Sequence, residues 1–294
     1  VKPGGFWARL WKYHVELLHF LFGSLLSLYT IFYFKSSSLM SSFIFMFLLA
    51  SLLVINEWPR FQKLGHSIRF AILALCITSY LIYLAPVATG SIGVGIFLLA
   101  LAVSIAIYLL LFQAILRVHP NPEGIFVKIL LPGLLVNLVL AGLYFTKILP
   151  PVPLSLKHIG IYHNITKQNG HFVLSYERDW WRFWQSGAQT FIRREGDQIH
   201  CFVSIFSPTA FREQVKLIWL RKGNEGWQKW DSISLPIVGG RDEGYRGYAQ
   251  KSNFETGSWQ VRVVTSDDRE LGRIYFDVVD AESSRQRKWR QDTF

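Results

Sequence analysis

The chain has 294 residues, of which 51% are hydrophobic and only 17% are charged, and its formal net charge is +11. Soluble domains carry about 25% charged residues, so the composition excludes an ordinary soluble protein over the whole length. Residues 1–154 hold ten Lys or Arg and three Asp or Glu, whereas residues 155–294 hold twenty-one and seventeen. Because most of the excess positive charge lies in the short loops of the apolar half, it favours lipid headgroups and excludes a nucleic-acid-binding face.

Five apolar segments in the first half are predicted to be transmembrane helices. A bilayer core of about 30 Å needs about 20 apolar residues in a helix, and lipid offers no water to pair the backbone of an irregular segment. The predicted spans are residues 15–34, 39–58, 70–88, 91–116 and 126–149. They form a predicted helical membrane domain over residues 1–150.

The distribution of basic residues predicts how these helices are oriented. Two basic residues, Lys35 and Lys147, lie on one side of the predicted bundle. Eight lie on the other side: Lys2, Arg9, Lys12, Arg60, Lys63, Arg69, Arg117 and Lys128. Lys and Arg are retained in the cytoplasm, so the N-terminus is predicted to be cytoplasmic. Five crossings then place the second half outside the cytoplasm, which is the periplasm if the membrane is a bacterial inner membrane.

The second half is predicted to be an all-β domain. Residues 151–158 read as a Pro-rich, extended connector. From residue 159 to 280, short apolar-rich segments are separated by Gly, Asn and Asp clusters such as KGNEG at 222–226 and SDDRELG at 266–272. The segments predicted to be strands are 171–176, 200–206, 215–221, 227–235, 259–265 and 273–279. This pattern predicts an immunoglobulin-like β-sandwich behind the five-helix transmembrane bundle. Residues 281–294 are predicted to be a solvated basic tail.

Three stretches of the chain resemble a known family. They are INEWPRF at 55–61, ILPPVPLSLKHIGIYH at 148–163 and LPIVGGRDEGYRGYAQKSNFETGSWQVRVVTSDDRELGRIYFDV at 235–278. Their combination resembles the bacterial envelope proteins that carry the domain of unknown function numbered 2914. The resemblance implies a multi-span inner-membrane protein with a small C-terminal β domain. It implies no activity, because that family has no assigned chemistry.

Four polar residues are predicted to lie within or at the ends of the membrane helices. These intramembrane candidates are Asn56, Glu57, Gln113 and Asn137. Polar groups in a span either mark a functional path or join helices by hydrogen bonds. For Glu57 a structural role at the membrane interface is the alternative. The His and Cys residues have no metal-ligand spacing, so neither a metal nor a cofactor is predicted.

Two segments of the second half are candidates for binding a ligand or a partner. One is the Gly-rich stretch 239–248, predicted to be a turn, with Arg241, Tyr245, Arg246 and Tyr248. Arg and Tyr on such a turn suit carboxylates, phosphates or sugars, although Tyr248 in a core and structural arginines is the alternative. The other segment carries Trp180, Trp181 and Trp184. It can instead pack on the sandwich or rest on the membrane surface.

These observations predict a non-enzymatic membrane subunit or envelope scaffold. The catalytic fingerprints GxSxG, the P-loop and the dinucleotide motif are absent from the sequence. The predicted partners are the bilayer and a second membrane protein or another copy of the chain, with no role for nucleic acid. An envelope glycan- or lipid-binding module is the alternative function, and a transporter component is the weaker one.

Overall fold

The computed structural model describes residues 13–36, 39–58, 65–118, 121–178, 186–207, 212–238, 244–281 and 287–294. Contacts along the chain divide it into two compact units. The helical unit ends at Val152, and the β unit begins at Pro153.

Long apolar helices build the helical unit. They are α1 (His14–Ser36), α2 (Leu39–Glu57), α3 (His66–Thr89), α4 (Val94–Leu116), and a last stretch made of α5 (Pro122–Ile125), a π-helical turn (Phe126–Leu130) and α6 (Leu131–Phe145). Among the described residues, four stretches are long and apolar enough to cross a membrane: His14–Ser36, His66–Thr89, Val94–Leu116 and Glu123–Phe145. Within α2, Phe43–Asn56 form a shorter apolar helix. The chain therefore has a membrane-associated helical region with four candidate spans and a fifth apolar helix.

The π-helical turn lies where Pro132 enters the last helix. Proline has no backbone N–H, so it cannot complete the regular hydrogen-bond ladder. The N–H of Leu131 instead donates to the carbonyl of Phe126, five residues earlier. The turn joins α5 and α6 into one stretch, and α6 ends at Phe145, earlier than the predicted Leu149.

The interior of the helical unit is packed with large side chains. Leu26 and Leu49 are fully buried, and the rings of Phe97 and Tyr144 stack with centroids 3.8 Å apart. Other apolar side chains point outward, and Phe20 and Leu138 are 70% and 69% exposed. Outward apolar residues at this density are what a lipid-facing surface requires, so the exposed faces support membrane association.

The β unit consists of strands only, as far as its described residues go. They are β1 (Ser155–Tyr162), β2 (Asn164–Gln168), β3 (His171–Glu177), β4 (Thr190–Arg193), β5 (Ile199–Phe206), β6 (Arg212–Gly223), β7 (Gly226–Val238), β8 (Tyr245–Lys251), β9 (Gly257–Val264), β10 (Glu270–Asp280) and β11 (Trp289–Thr293). Six of them form from the segments that the sequence predicts to be strands: β3, β5, β6, β7, β9 and β10.

Three sheets organise these strands. The large sheet has the order β4-β10-β9-β6-β7, the small sheet β1-β5-β8, and the third sheet β11-β3-β2. Neighbouring strands are antiparallel except for β4 and β10, which run parallel. The long β6–β7 hairpin turns at Gly223 and Gly226, where the sequence KGNEG predicts a turn.

The large and small sheets pack face to face. The position where a Cβ would lie on Gly272 of β10 is 2.4 Å from the Leu156 side chain of β1, so a larger residue at this position would require Leu156 to move. On the same interface, the Lys251 ammonium of β8 lies 5.9 Å from the ring centre of Trp219, a fully buried residue of β6. The core of the β unit thus lies between two sheets, as in a sandwich.

Three predictions about the β unit are wrong. The connector 151–158 ends earlier than expected, because Ser155 already pairs with Phe206 of β5. The tail 281–294 is not free in solution over its last residues, because β11 pairs with β3 from Trp289 to Thr293. The Gly-rich stretch around residue 245 is not only a turn, because β8 begins at Tyr245. In each case backbone pairing with a distant strand, which local composition does not report, stabilises the strand.

Candidate functional site

A network of hydrogen bonds around Asn137 joins three membrane helices. The Asn137 amide of α6 donates to Ser104 Oγ of α4 at 2.7 Å. Its Oδ1 accepts from Thr78 Oγ1 of α3 at 2.8 Å, and Thr78 also contacts the Tyr108 hydroxyl at 2.5 Å. These four side chains are buried. The predicted polar residue of the last span is therefore a junction between helices.

Close packing positions this network. A Cβ on Gly133 would lie 2.8 Å from the Tyr108 ring, so the glycine lets α6 approach α4 at this level. The Tyr108 hydroxyl lies 2.9 Å from the Ala74 carbonyl as well as 2.5 Å from Thr78. Thr78 and Tyr108 have two hydroxyl protons for three contacts, those with Asn137, with the Ala74 carbonyl and with each other, so the protons are shared within the network. The hydrogen-bonding capacity of the network is thus used within the helical unit.

A second polar junction ties α1 to α2. His19 Nδ1 lies 2.9 Å from Asn56 Oδ1, and Asn56 Nδ2 donates to the His19 carbonyl at 3.0 Å. Since an amide oxygen only accepts, Nδ1 carries the proton. Both side chains are buried. Of the other intramembrane candidates, Gln113 is exposed on α4, and the Glu57 side chain lies outside the described residues.

The structure separates the candidate residues of the Gly-rich stretch. Arg246 and Tyr248 are two positions apart and so lie on the same face of β8, an edge strand of the small sheet. Tyr248 is 40% exposed. Tyr245 turns to the other face, where its ring covers Gly247. Gly244 enters the strand with a φ of 84°, which favours glycine. Arg241, Trp180, Trp181 and Trp184 lie outside the described residues.

Sequence reasoning missed a cluster of charged and aromatic groups near the start of β11. The Arg287 guanidinium donates to Asp197 Oδ2 and lies 3.9 Å from Glu177 Oε2. That Glu177 oxygen is 3.8 Å from Nε2 of His163. The His163 ring stacks on Phe191 with centroids 4.0 Å apart. The pairing of Trp289 with Glu177 brings Arg287 beside that carboxylate, and no local spacing in the sequence predicts it.

Burial sets the ionisation of His163 in this cluster. It lowers the pKa of His163 to about 4, and the nearby Arg287 charge acts in the same direction. The Asp197 charge acts in the opposite direction but does not reverse the shift. His163 is therefore neutral near pH 7. In the described parts of the chain, no group of three or more His, Cys, Asp or Glu side chains is placed to hold a metal ion.

The fold and these sites define a membrane-associated helical protein with a C-terminal β-rich domain. Residues 212–278, from β6 to β10, match the model of the family described as "Protein of unknown function (DUF2914)". The resemblance inferred from the motifs at 235–278 is confirmed for this C-terminal region, and the family assigns no activity. The search of curated protein sequences gives no significant match.

Several solved structures are similar to parts of the chain. An immunoglobulin-like protein from Pseudomonas aeruginosa is 12% identical, with 44% of this chain and 98% of that protein covered and a TM-score of 0.27. The CARDB domain of a Pyrococcus furiosus protein, solved with two metal ions, is 9% identical. The match covers 44% of this chain and 94% of that domain, with a TM-score of 0.25. The PmoD soluble domain from a Methylocystis species is 9% identical, and the match covers 39% of this chain and 96% of that domain, with a TM-score of 0.22. At these scores the description of the β unit rests on its own sheets.

Proposed function

We propose that this chain is a non-enzymatic scaffold subunit of a bacterial inner-membrane complex. In this proposal the helices anchor the chain, and an immunoglobulin-like β unit lies in the periplasm and contacts a partner protein. The apolar helices support the anchor, and the bias of basic residues toward one side supports the orientation.

The observation that carries the proposal is how the helices use their buried polar groups. The side chains of Asn137 and Asn56 bond to neighbouring helices. A transport path would instead direct such groups toward a passage for solute. Polar groups that join helices give a stable anchor, which favours a scaffold over the transporter alternative.

The outward face of β8 is the surface that suits a partner protein best. Arg and Tyr are enriched at protein interfaces, because each presents a broad apolar body with a polar end. Arg246 and Tyr248 alternate on this face, and Tyr248 packs beside His200 with ring centroids 6.1 Å apart. The neighbouring rings hold the tyrosine in place, so it would lose little conformational freedom on binding.

Site-specific crosslinking tests the partner contact. A photoreactive phenylalanine derivative replaces Tyr248 in the full chain, and the native membranes are irradiated before solubilisation. We expect one adduct of defined mass, weakened by the additional substitution Arg246→Ala. An adduct of twice the chain mass identifies a second copy as the partner. The same probe at Trp289, an exposed aromatic residue of β11, is the matched control.

Recovery of uncrosslinked chain alone from position 248 contradicts the proposed contact. The orientation has a separate test, in which a reporter enzyme that is active only outside the cytoplasm follows Phe294. We expect an active reporter. If this reporter is inactive and a second reporter that works only in the cytoplasm is active at the same site, the periplasmic placement of the β unit is wrong.

A further inference from the structure

A cavity of about 310 Å³ opens on the outer side of the large sheet, at the end where β4 begins. Its lining combines aromatic rings with hydroxyl, amide, carboxylate and ammonium groups: Gln189, Thr190, Lys222, Trp227, Ser258, Trp259, Tyr275, Phe276 and Asp277. All but Gln189 and Thr190 lie in the family region 212–278. None of these residues belongs to the candidate patch on β8.

Hydrogen bonds within the sheet hold the polar wall of the cavity. Ser258 Oγ of β9 donates to Asp277 Oδ1 of β10 at 2.7 Å, which fixes the direction of the carboxylate. The backbone N–H of Asp277 donates to the Gln189 carbonyl at 2.9 Å. Thr190 lies beside Asp277 in the parallel pair of β4 and β10. Neighbouring strands therefore hold an accepting carboxylate next to an amide and a hydroxyl group.

Two aromatic side chains form the apolar wall. Trp227 of β7 and Tyr275 of β10 have ring centroids 5.6 Å apart and planes inclined at 56°. Tyr275 is 44% exposed, and Trp227 is half-buried. The Tyr275 hydroxyl accepts a hydrogen bond from Arg273 at 3.4 Å. These contacts restrain the rings but leave part of each ring surface accessible.

This combination of groups is selective for one ligand chemistry. A sugar ring presents an apolar C–H face, which packs on aromatic rings, and an edge of hydroxyl groups, which pair with carboxylate, hydroxyl and amide groups. The lining has one carboxylate, Asp277, and one ammonium group, Lys222, so its formal charges balance. A phosphate or an anionic headgroup needs a surplus of cationic donors.

The size of the cavity limits the ligand further. Small-molecule sites occupy about 300 to 1,000 Å³, and this cavity lies at the lower limit of that range. One or two sugar rings fit that volume, whereas a folded protein partner would need a larger and flatter surface. We propose that the cavity at Trp227 and Tyr275 binds one or two neutral sugar rings of an envelope glycan.

This site is independent of the proposed protein contact, because the two use different sheets. Loss of the crosslink at Tyr248 leaves the sugar site intact, and loss of sugar binding leaves the scaffold function intact. The sequence suggests a glycan site at the Gly-rich stretch together with the segment of Trp180, Trp181 and Trp184. The sugar site proposed here instead uses the outer side of the large sheet.

Sugar binding by the full chain in lipid nanodiscs tests the proposal. Nanodiscs replace sugar-based detergents, which would compete for the cavity. The probes are maltose and N,N′-diacetylchitobiose, with inorganic phosphate as the charged comparison, and saturation-transfer NMR measures binding. We expect a Kd of about 1 mM or lower for at least one disaccharide. Trp227→Ala and Tyr275→Ala should each raise that Kd at least about tenfold.

Two controls separate the site from a general loss of structure. Trp227→Phe keeps an aromatic face and should retain most of the affinity. Tyr248→Ala removes an exposed tyrosine from the small sheet and should leave the Kd unchanged. Binding of neither disaccharide overturns the proposal, as does binding that survives Trp227→Ala combined with Tyr275→Ala. Tighter binding of phosphate than of either sugar overturns the assignment to a neutral ligand.

Discussion

The helical unit and the β unit treat buried polar groups differently. In the helices the buried polar side chains around Asn137 are neutral and bond across helix boundaries. In the β unit some buried side chains are charged and lie beside an opposite charge, as Lys251 does with Asp231 at 3.0 Å. A charge in hydrocarbon is costly, whereas the rim of a water-exposed sandwich can solvate the partner. Neutral hydrogen bonds are therefore the connections suited to the helical unit.

The outer surfaces of the two units also differ, in how much large apolar side chain each exposes. The helical unit exposes large apolar side chains along its helices, and Leu110 and Phe47 are about as exposed as Leu138. The β unit has large rings in its core, and Trp219 and Trp259 are fully buried there. Removal of apolar surface from water thus stabilises the β unit, whereas packing and hydrogen bonds between helices stabilise the helical unit in lipid.

The two cysteines make this difference measurable. Cys76 is buried in α3 and Cys201 in β5, so each thiol reports the opening of one unit. Pulsed alkylation of the full chain in nanodiscs, at increasing urea and with the labelled peptides resolved by mass spectrometry, gives a separate unfolding free energy for each unit.

The largest expected effect follows from emptying the sandwich core. Trp219→Ala removes a fully buried ring that packs edge-on against Phe276. Replacing a buried Trp by Ala costs about 3–5 kcal/mol, and we expect that loss at Cys201 while the labelling of Cys76 stays unchanged. Trp230→Ala, at a tryptophan that is 38% exposed and packs on Trp259 and Arg221, is the matched control and should cost less. Equal acceleration at both cysteines would show that the units unfold together and would end the comparison.

The next effect is a pH dependence confined to the β unit. Burial lowers the pKa of His163 from 6.5 to about 4, so between these values the unfolded chain binds a proton that the folded chain does not. The contribution of neutral His163 to the free energy of unfolding is therefore fully present above pH 6.5 and falls as the pH drops toward 4. Below pH 4 this group causes no further change. A shift of this size corresponds to at most about 3 kcal/mol.

Urea midpoints at pH 7.5 and 4.5, read from tryptophan fluorescence, check this dependence. His163→Phe keeps an aromatic ring on Phe191 and should reduce the change in urea midpoint between the two pH values. Burial also lowers the pKa of His158 and His200, so a smaller slope in the same direction should remain. His171→Asn, at an exposed position of β3, is the control. An unchanged slope in His163→Phe would mean that this histidine is protonated equally in both states.

In the helical unit, a single hydrogen-bonding side chain should have a smaller effect. Asn137→Leu removes the bonds to Thr78 and Ser104. Hydrogen bonds between membrane helices contribute about 0.6 kcal/mol each and up to about 1.7, so we expect a loss of about 1–2 kcal/mol. Cys76 should label faster and Cys201 should not. Gln113→Leu, at an exposed position of α4, is the control; an equal effect there would assign the loss to general helix packing.

How much the sequence predicts also differs between the units. The first helix is predicted at 15–34 and observed as His14–Ser36, because lipid makes apolar length a nearly sufficient signal. Strands with alternating apolar residues, such as β9, are predicted from the sequence equally well. β11 is not, because its sequence WRQDT alternates no apolar residues and its pairing partner lies more than 100 positions away. The cluster of Glu177 and Arg287 depends on the same pairing and is hidden for the same reason.

The smallest predicted effect concerns how side chains hold β11, where prediction from the sequence failed. The Tyr176 hydroxyl of β3 donates to Asp292 of β11 at 2.9 Å and accepts from Arg178 at 3.1 Å. A double-mutant cycle with Tyr176→Phe and Asp292→Asn, read at Cys201, isolates the tyrosine–aspartate bond from the backbone pairing. We expect a coupling of about 0.5–1.5 kcal/mol, as for a partly buried hydrogen bond. A coupling near zero, with each single variant still destabilising, would mean that the backbone ladder alone holds this strand, and the β unit would then depend less on side-chain hydrogen bonds than the helices do.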